Sequence, residues 1–471
     1  REVTRNTPVV AIKSGTTAAG SLAAAAHTGS LAGSENAYEA AFAQCGILRA
    51  RTVNELFDLA VLFASQPLIQ GNRVAIVTNS GGMGIIATDA VAHGGLTMSS
   101  FSPVTIACLH ERLPPSANLY NPIDLLGDAR SDRYEVAMNA ALADPAVDGL
   151  IVLLTPQAQS DLVCTAEVIA ATAARYTKPV VTSFMGAYSL GAALEVLRTR
   201  QIPNYTFPER AVQSLAAMYR HYERTQRPAA IYRNYAVPIE QVRAIFAAAR
   251  SAGRIELNER EVRLVLAAYG LRVPVSRLAR SPDEAAELGT TLGYPVVMKV
   301  VSPDILLKSE IGAVQMGVAD ASAARESFTL IDYRARKYWP GARIRGVLVQ
   351  ELVRPGREVL IAVNRDPQFG PLVALGLSGV YVEVFKDVAF RLAPLSAQEV
   401  HAQIRELRAY PLLRGAGGTP PADIAAIEET VLRVSQLVVD CPEIVELDLN
   451  PLIVHGPGEG AIVLDARILV Q

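Results

Sequence analysis

A regular alternation of short apolar runs with helical stretches, from about Gly71 to Thr225, most restricts how this chain can fold. Five segments have strand length and are rich in apolar residues, and helical patterns fill the intervals between them. Because parallel strands need long crossover connections, usually helical, this order predicts a doubly wound parallel sheet in an α/β fold. The five predicted strands are RVAIVTN, GLTMSSF, GLIVLLTP, KPVVTSFMG and IPNYTF.

The segment before this unit begins with TPVVAIK, which the apolar run predicts to be a buried strand. A single strand cannot form a sheet, so we expect its partners to come from elsewhere, either in a longer polypeptide or in another part of the enzyme. A helix is predicted from about Glu35 to Gly46, and NELFDLAVLFASQ predicts a second helix. The first helix has apolar side chains at helical spacing, namely Tyr38, Ala41, Phe42 and Cys45.

The segment RTQRPAAIYRNYAVP interrupts the alternation with prolines and basic residues and predicts a linker at 226–240, after which the pattern changes. NEREVRLVLAAYGL predicts a helix that ends at Gly270, and YPVVMKVV predicts a strand. The strand-like segments VLVQELV and EVLIAVNRD flank the turn RPGR, which indicates a β-hairpin. The last segment, from Glu443, predicts two strands joined by a loop of glycine and proline.

The composition describes a well-buried globular protein with more than one core, because 50% of the 471 residues are hydrophobic and 19% are charged. A net charge of −2 indicates neither a nucleic-acid nor an anionic-membrane surface. The longest apolar runs are too short to span a bilayer, and no signal peptide is recognisable. The four cysteines are widely scattered, which favours reduced thiols and a cytoplasmic location.

His27 lies among small residues in AAAHTGSLAGS, several residues before a predicted helix. The free N–H groups at a helix N-terminus and its positive dipole suit a phosphate, so His27 is a candidate phosphohistidine. Residue type alone favours a structural histidine that caps the helix or fills a loop.

A second anion site is indicated by RVAIVTNSGGMGIIATDA, in which a strand, a glycine-rich turn and a helix follow one another. The backbone N–H groups of Ser80, Gly81 and Gly82 would form the cradle. Alternatively, the glycines only let the helix pack closely on the strand, and such a turn alone is a weak signal. Two such helix ends in one chain, one of them beside a histidine, are a stronger signal of phosphate binding.

The C-terminal unit contains candidate ligands for a nucleotide. Lys299 ends an apolar strand and could reach a phosphate, or its ammonium could simply leave the sheet at its edge. In ELDLNPL, strand alternation places Glu446, Asp448 and Asn450 on one face, with Asp465 expected at the matching depth of the next strand. These oxygen ligands suit Mg²⁺, although a solvated strand face would look the same.

Taken together, these motifs resemble the ADP-forming acetyl-CoA synthetases, relatives of succinyl-CoA synthetase, over essentially the whole chain and in the family's order. The resemblance implies flavodoxin-like domains followed by an ATP-grasp domain. Residues 1–65 would be the C-terminal part of a succinyl-CoA-ligase-like domain that carries the phosphohistidine loop. Residues 66–225 would be a second, flavodoxin-like CoA-ligase domain, followed by a linker at 226–240 and the ATP-grasp domain at 241–471. The motifs that carry it are HTGSLAGSENAYEAAF, VAIVTNSGGMGIIATD, NPIDL, LLTPQAQSD, VMKVVSPDILLKSEIGAV, VQELVRPGREVLIAVNRDPQFGP, LGLSGVYVEVFKD and ELDLNPL with VLDARI.

The resemblance also implies site residues in the first half of the chain. His27 would be the phosphorylated nucleophile. Asn121 and Asp124, in NPIDL, would lie near the acyl-phosphate site. Two helix ends would hold the phosphate: Thr28, Gly29 and Ser30 at one, and Ser80, Gly81 and Gly82 at the other.

In the second half, the resemblance implies a nucleotide site. Lys299 would contact the phosphates of ATP, and Glu351 and Glu358 are candidates for its adenine–ribose side. Part of the loop over the phosphates would come from Gly376 and Gly379, and Mg²⁺ would be held by Asn450 and Asp465.

The sequence departs from the family pattern in three ways. Leu307 stands where many members have a histidine that carries phosphate between distant sites, and leucine cannot be phosphorylated. Ser378 replaces a common glycine, a change that the loop should tolerate. Neither the CoA-binding Rossmann domain nor most of the domain that should precede TPVVAIK is found in this chain, so we expect the missing part in the same longer polypeptide or in a partner subunit. The carboxylate that should orient His27 would lie in that part.

The implied reaction interconverts acyl-CoA, phosphate and ADP with a carboxylate, CoA and ATP, so ATP or ADP, Mg²⁺ and CoA are the expected cofactors and substrates. One alternative is a synthetase specialised for an aromatic or unusual acid. Another is a protein of the same fold that senses nucleotide or acyl-CoA without turnover. We expect a homo-oligomer, with neither nucleic acid nor membrane as a partner.

Overall fold

The computed structural model describes residues 2–17, 19–20, 34–186, 190–228, 230–302, 304–305, 311–379 and 385–471. The chain divides into two compact units. The first comprises Arg1–Ala32 and Ala41–Ala229, and the second comprises Gly33–Ala40 and Ala230–Gln471. The division at Ala229 falls inside the predicted linker. No helix of the described residues is long and apolar enough to cross a membrane.

The N-terminal part of the chain contains a short parallel pair of strands. Strand β1 pairs with β2 from Val9↔Ile47 to Ile12↔Ala50. Strand β2 thus supplies one partner for β1 within the chain, in a sheet of two described strands. The elements here are α1 (Glu2–Asn6), β1 (Val9–Ile12), α2 (Glu35–Cys45), β2 (Ile47–Ala50) and α3 (Val53–Ser65).

The predicted doubly wound sheet is present in the first unit. Among the described residues, five parallel strands pair in the order β4-β3-β6-β7, with β5 beside β4 on the same edge of β3. The strands are β3 (Arg73–Thr78), β4 (Thr97–Met98), β5 (Ile123–Asp124), β6 (Gly149–Leu154) and β7 (Val180–Phe184). The helices are α4 (Gly81–His93), α5 (Pro103–Arg112), α6 (Ser131–Ala143), α7 (Leu162–Ala173), α8 (Gly191–Thr199) and α9 (Pro208–Thr225).

Helices cover both faces of this sheet, as the apolar strands require. Ala75 and Val77 of β3 pack with α5, α6, α7 and α8, whereas Val74 and Ile76 pack with α3, α4 and α9. The side chains of one strand thus serve two cores by simple alternation.

The segment IPNYTF is not a sheet strand, contrary to the sequence prediction. Among the described residues, its backbone pairs with β7 only at the isolated bridge Thr182↔Asn204. Pro203 lacks the N–H group that a continuing ladder needs, and Asn204 instead accepts the Phe184 N–H through its side chain at 2.8 Å.

In the second unit, four described strands form an antiparallel sheet in the order β10-β9-β11-β8. Ala286 of α12 and Ile331 of α13 pack with Met298 and Val300 of β9 on one face of this sheet. The elements up to this sheet are α10 (Ile239–Ser251), α11 (Glu259–Ala268), β8 (Ser276–Ala279), α12 (Pro282–Leu292), β9 (Val296–Val301), β10 (Val314–Val318), α13 (Ala321–Tyr338) and β11 (Gly346–Glu351).

The rest of the second unit builds a sheet in which six described strands pair, in the order β14-β13-β12-β15-β16 with β17 also beside β15. One face packs on α10, α11, α14 and α16 in a large apolar core. The strands are β12 (Arg357–Asp366), β13 (Gly370–Leu377), β14 (Val388–Leu392), β15 (Ile444–Val454), β16 (Ala461–Val463) and β17 (Ala466–Val470), and the helices are α14 (Ala397–Glu406), α15 (Tyr410–Leu413) and α16 (Ile424–Asp440), with a 3₁₀ turn at Ala416–Gly418.

Two strand predictions in this unit need correction. The segments around RPGR do not form a hairpin, because β11 pairs with β8 and β9 whereas β12 pairs with β13 and β15. The last segment does form antiparallel strands around its Gly/Pro loop, but the second of them is divided into β16 and β17. Asp465 therefore lies in the break between two strands.

Candidate functional site

The second unit presents a row of polar side chains on one face of β15. Leu447 and Leu449 are fully buried in the apolar core, so the intervening residues point to the opposite face of the sheet. Glu446, Asp448 and Asn450 share that face, as the sequence predicts. In register, Asp448 lies opposite Ala362 of β12.

The carboxylate of Asp448 is perturbed by its surroundings. Burial raises its pKa, and the negative charges of Glu446 and Asp465 raise it further, whereas Arg467 opposes them. Its Oδ1 is buried and has no hydrogen-bond partner among the residues that the structure describes. A buried, unpartnered carboxylate oxygen beside a second carboxylate is chemically suited to a hard divalent cation.

Asn450 and Asp465 lie together, as predicted for a magnesium site. The backbone N–H of Asn450 donates to the carbonyl oxygen of Asp465 at 3.1 Å. The Asn450 side-chain Oδ1 accepts the hydroxyl of Ser378 at 2.6 Å. The oxygen donors of Asp448, Asn450 and Asp465 therefore fit Mg²⁺. Asp448, which strand alternation places in this row, adds a ligand to the Asn450–Asp465 pair that the resemblance implies.

Of the two glycines predicted to cover the phosphates, Gly376 lies inside β13, opposite Leu360. Gly379 follows the strand with φ +69°, a conformation that favours glycine, and leads into residues outside the described part. Only Gly379 is thus placed at the start of a loop.

Lys299 points away from the core of the four-stranded sheet, since its neighbours Met298 and Val300 are buried in that core. Its Nζ lies 3.0 Å from Glu259 Oε1, at the start of α11. The same oxygen accepts from Arg263 at 2.8 Å, and Arg263 also reaches Gln350 Oε1 at 3.3 Å. Glu259 and Arg263 were missed from the sequence, where their i, i+4 spacing looks like an ordinary exposed helix pair.

The lysine group and the acidic group adjoin one another. Glu259, Arg263 and Asp465 line one small cavity of about 20 Å³, roughly the size of a single water. Lys299 contacts Glu259 and Asn450 contacts Asp465, so this cavity connects the lysine cluster to the oxygen ligands. Positively charged side chains and metal ligands together are suited to neutralise the charge of a nucleotide's phosphates.

Glu351 and Glu358 occupy the ends of the two strands that flank the RPGR turn. The Glu351 N–H donates to Val275 O at 3.0 Å, and the Glu358 carbonyl accepts the Ser378 N–H at 3.1 Å. Counting along β12 from Ala362, the exposed Glu358 shares the sheet face of Asp448.

In the first unit, helix α4 begins directly after the buried strand β3. Thr78 Oγ1 accepts the Ser80 N–H at 3.0 Å, and the next two residues open the helix with their backbone exposed. A Cβ on Gly81 would lie 2.9 Å from Asp124 Oδ2, whereas one on Gly82 would meet nothing within 4 Å. The helix end is therefore open to an anion on the Gly82 side and closed by Asp124 on the other.

Asn121 serves as a connector within the sheet. Its Nδ2 donates to Val74 O at 2.8 Å and to Ser99 O at 3.0 Å, while its Oδ1 accepts the Ile76 N–H at 2.9 Å. This amide is used by the fold, so it would act on a ligand only by positioning its neighbour Asp124.

The predicted residues His27, Thr28, Gly29 and Ser30 lie outside the described residues, as does Leu307. The described part of the chain contains no group of three or more His, Cys, Asp or Glu side chains placed to hold a metal ion. The magnesium candidate thus relies on two carboxylates and an amide.

Comparison with known proteins gives three domain descriptions along the chain. Residues 1–63 match the succinyl-CoA ligase like flavodoxin domain, residues 74–228 the ligase-CoA domain and residues 248–470 the ATP-grasp domain. The α/β sheets described above are consistent with flavodoxin-like domains followed by an ATP-grasp domain.

The chain is 41% identical to an acetate–CoA ligase (ADP-forming) of Archaeoglobus fulgidus, over 100% of its own length and 67% of that protein. It is 38% identical to a 4-hydroxybutyrate–CoA ligase (ADP-forming) of Nitrosopumilus maritimus, over 98% and 66% of the two lengths. A solved acetyl-coenzyme A synthetase of Candidatus Korarchaeum cryptofilum, in complex with coenzyme A and Ca-AMPCP, is 41% identical over 49% of this chain and 99% of that one, with a TM-score of 0.47.

The three domain matches and the two curated relatives identify the class as acid–CoA ligases of the ATP-grasp type. The chain belongs to the family of ADP-forming acid–CoA ligases, and it spans about two-thirds of the length of the relatives it matches.

Proposed function

We propose that the chain catalyses the nucleotide half of an ADP-forming acyl-CoA synthetase reaction, in which carboxylate, CoA and ATP interconvert with acyl-CoA, ADP and phosphate. The observation that carries the proposal is the pairing of the Lys299–Glu259–Arg263 cluster with the oxygen ligands Asp448, Asn450 and Asp465 in one unit.

In the direction of ATP synthesis, phosphate displaces CoA from the thioester and forms an acyl phosphate. A nitrogen of His27 then attacks the phosphorus: an N–P bond forms, the acyl P–O bond breaks, and the carboxylate leaves. A terminal oxygen of ADP attacks the phosphohistidine in turn, and ATP and free histidine result. Each transfer asks the protein mainly for alignment and charge neutralisation.

Each group of residues has a role in this proposal. Lys299 neutralises nucleotide phosphate, with Gly376 and Gly379 near the covering loop, and Glu351 and Glu358 lie on the adenine–ribose side. Asn450, Asp465 and Asp448 would hold Mg²⁺, which would supply positive charge to the phosphates. The α4 start at Ser80–Gly82, together with Thr28–Ser30, would hold the phosphate on His27. Asp124, positioned by Asn121, would border the acyl-phosphate site.

The domain bounds proposed from the sequence are 1–65, 66–225 and 241–471, with a linker at 226–240. CoA would be bound by a further domain, in the same longer polypeptide or in a partner subunit, and the assembly would be a homo-oligomer. Leu307 cannot carry phosphate. We therefore propose that the segment around His27, which is rich in glycine and alanine, moves between the two sites.

The alternative of a nucleotide or acyl-CoA sensor is less well supported. Both relatives reported above are named as ligases, and the Lys299 and Asp448–Asn450–Asp465 groups have the chemistry of a working site. Tight ATP binding without any phosphoryl transfer would favour the sensor.

The direct test is to incubate the chain, completed by its CoA-binding domain, with γ-labelled ATP and Mg²⁺ and to look for acid-labile, base-stable label on His27. We expect labelling of the unmodified chain and none after His27→Ala or Lys299→Met. If the unmodified chain binds ATP but stays unlabelled, the proposal is wrong. A panel of acids with CoA and ATP, assayed for thioester in the protein completed by its CoA-binding domain, would then identify the acid.

A further inference from the structure

The start of helix α2 makes a specific contact with the turn between β12 and β13, within the second unit. The backbone N–H of Ser34 donates to Asp366 Oδ2 at 3.3 Å. The other oxygen, Oδ1, accepts the N–H groups of Gln368 at 2.9 Å and Phe369 at 3.0 Å. One carboxylate, only 8% exposed, thus connects the turn to a segment more than 300 residues away in the chain.

A tyrosine on the next turn of α2 adds to this contact. The Tyr38 hydroxyl donates to Gln368 Oε1 at 2.9 Å. Its ring meets the Phe369 ring edge-on, with centroids 4.8 Å apart and planes at 83°. This geometry is favourable for aromatic pairs and fixes the rotation of the helix about its axis.

Small residues complete the contact. Ala37 and Ala40 are almost fully buried and pack with Leu372 of β13. Phe390 and Leu392 of β14 lie against the same cluster. A pair of alanines three residues apart lets the helix approach the sheet closely, so the fit depends on residue size.

The contact lies on the sheet face that carries the nucleotide-site residues. Val373 and Leu375 belong to the core on the opposite face, so Leu372 points away from that core. Leu372 is two residues from Ala374 on β13, so the two side chains share a face. Ala374 pairs with Ala362 of β12, which in turn pairs with Asp448 of β15. Helix α2 therefore begins on the same face as Asp448.

Distances along the strand place this contact within reach of the site. Four strand residues separate Asp366 from Ala362, about 14 Å. His27 precedes Ser34 by seven residues, which span at most roughly 25 Å when extended. With Ser34 held at Asp366, the tether is long enough for His27 to reach the level of Asp448.

We propose that this contact, hereafter the α2 docking site, positions the His27 segment for phosphoryl transfer with the nucleotide. The inference rests on the proposed function. In it, Asp366, Tyr38 and Phe369 contact neither nucleotide nor phosphate. These are positioning residues, which raise the rate of transfer by holding one end of the segment beside the sheet face.

Three substitutions in the full chain test the docking site. Asp366→Asn keeps an oxygen for the Gln368 and Phe369 N–H groups but places an amide against the Ser34 N–H. Tyr38→Phe removes the hydroxyl bond to Gln368 and keeps the ring, and Phe369→Leu removes the ring pair. The matched controls are Asp332→Asn and Tyr333→Phe on helix α13, which takes no part in the contact.

The readouts are the single-turnover rate of His27 labelling from γ-labelled ATP and the Kd for ATP, measured on the same preparations. We expect each substitution to slow labelling about threefold, and the triple variant at least about tenfold, with Kd unchanged, because one long or neutral hydrogen bond, or one ring pair, contributes modestly. The controls should label at the unmodified rate.

The outcomes separate the two proposals. If the unmodified chain is labelled and the triple variant labels equally fast, the docking site is wrong and the proposed function stands. A loss of ATP affinity in step with the rate would show that the contact only supports the fold, and would also overturn the inference. Absence of label from the unmodified chain would remove both proposals.

Discussion

Asp448 is held at a cost to the stability of the fold. Its raised pKa means that the folded protein disfavours the charged form, so the charge destabilises the fold at pH values above the folded pKa. This behaviour is expected of a carboxylate that binds a cation, because a bound cation would stabilise the charged form in the folded protein.

We predict that Asp448→Asn stabilises the metal-free protein at pH 7, by up to about 1 kcal/mol, while weakening the binding of Mg–ADP. Thermal unfolding with EDTA and with Mg–ADP would measure both effects. Asp89→Asn, an exposed carboxylate on α4, is the control and should change neither. A variant that is less stable without metal would contradict the assignment.

Individual site residues differ in how far the sequence could reveal them. Strand alternation places Asp448 with Asn450, since Leu447 and Leu449 had to be buried. Glu259 and Arg263 could not be found in this way, because their meeting with Lys299 depends on how α11 packs beside β9. Asn121 was recognised as part of a motif, but its use as a sheet connector depends on the distance between Val74 and Ser99.

Among the elements, α9 contains a buried imidazole that no proposed step uses. His221 is 2% exposed and meets the Phe63 ring edge-on at 5.5 Å. Its Nδ1 has no hydrogen-bond partner in the described part of the chain. Burial lowers its pKa from the ordinary value of 6.5, and the positive charge of Arg224 lowers it further.

Because the folded pKa lies below the unfolded one, the unfolded chain binds more protons as pH falls through 6.5 and the folded state loses stability. We predict that His221→Phe reduces the loss of thermal stability between pH 7 and pH 5. The exposed His110→Phe on α5 should keep the unmodified pH dependence. The measurement is the unfolding temperature of each variant at pH 7 and at pH 5. An equal fall in unfolding temperature in the two variants would refute the prediction.

Local signals also explain which elements the sequence predicted well. Buried strands such as β3 and β6 are apolar on both faces, and helix α2 ends where Gly46 takes φ +74°. The hairpin at RPGR failed because a turn signal is local, whereas β11 and β12 find their partners through side chains far along the chain. IPNYTF failed because Pro203 stops the ladder that its composition favours.

At the scale of the whole molecule, each unit has its own apolar cores, built from residues of that unit. Separate cores predict separate unfolding. A ligand that binds one unit should therefore raise the unfolding temperature of that unit.

We predict two transitions in calorimetry, of which Mg–ADP raises only that of the second unit. Asn121→Ala should lower only the other transition, because it removes three hydrogen bonds inside the first unit. One cooperative transition that shifts as a whole would contradict this division.

The connection between β11 and β12 has a consequence for how this protein tolerates insertions. Residues 352–356 lead from one sheet to the other and span at most about 18 Å. A side chain on Gly356 would press to within 2.6 Å of the Val454 carbonyl oxygen. Each sheet keeps its own hydrogen bonds if this connection is lengthened, so folding should survive. A nucleotide that contacts both sheets would bind more weakly, because a longer connection would no longer hold the two sheets at a fixed distance. We therefore expect such insertions to lower nucleotide affinity without changing the stability of the protein.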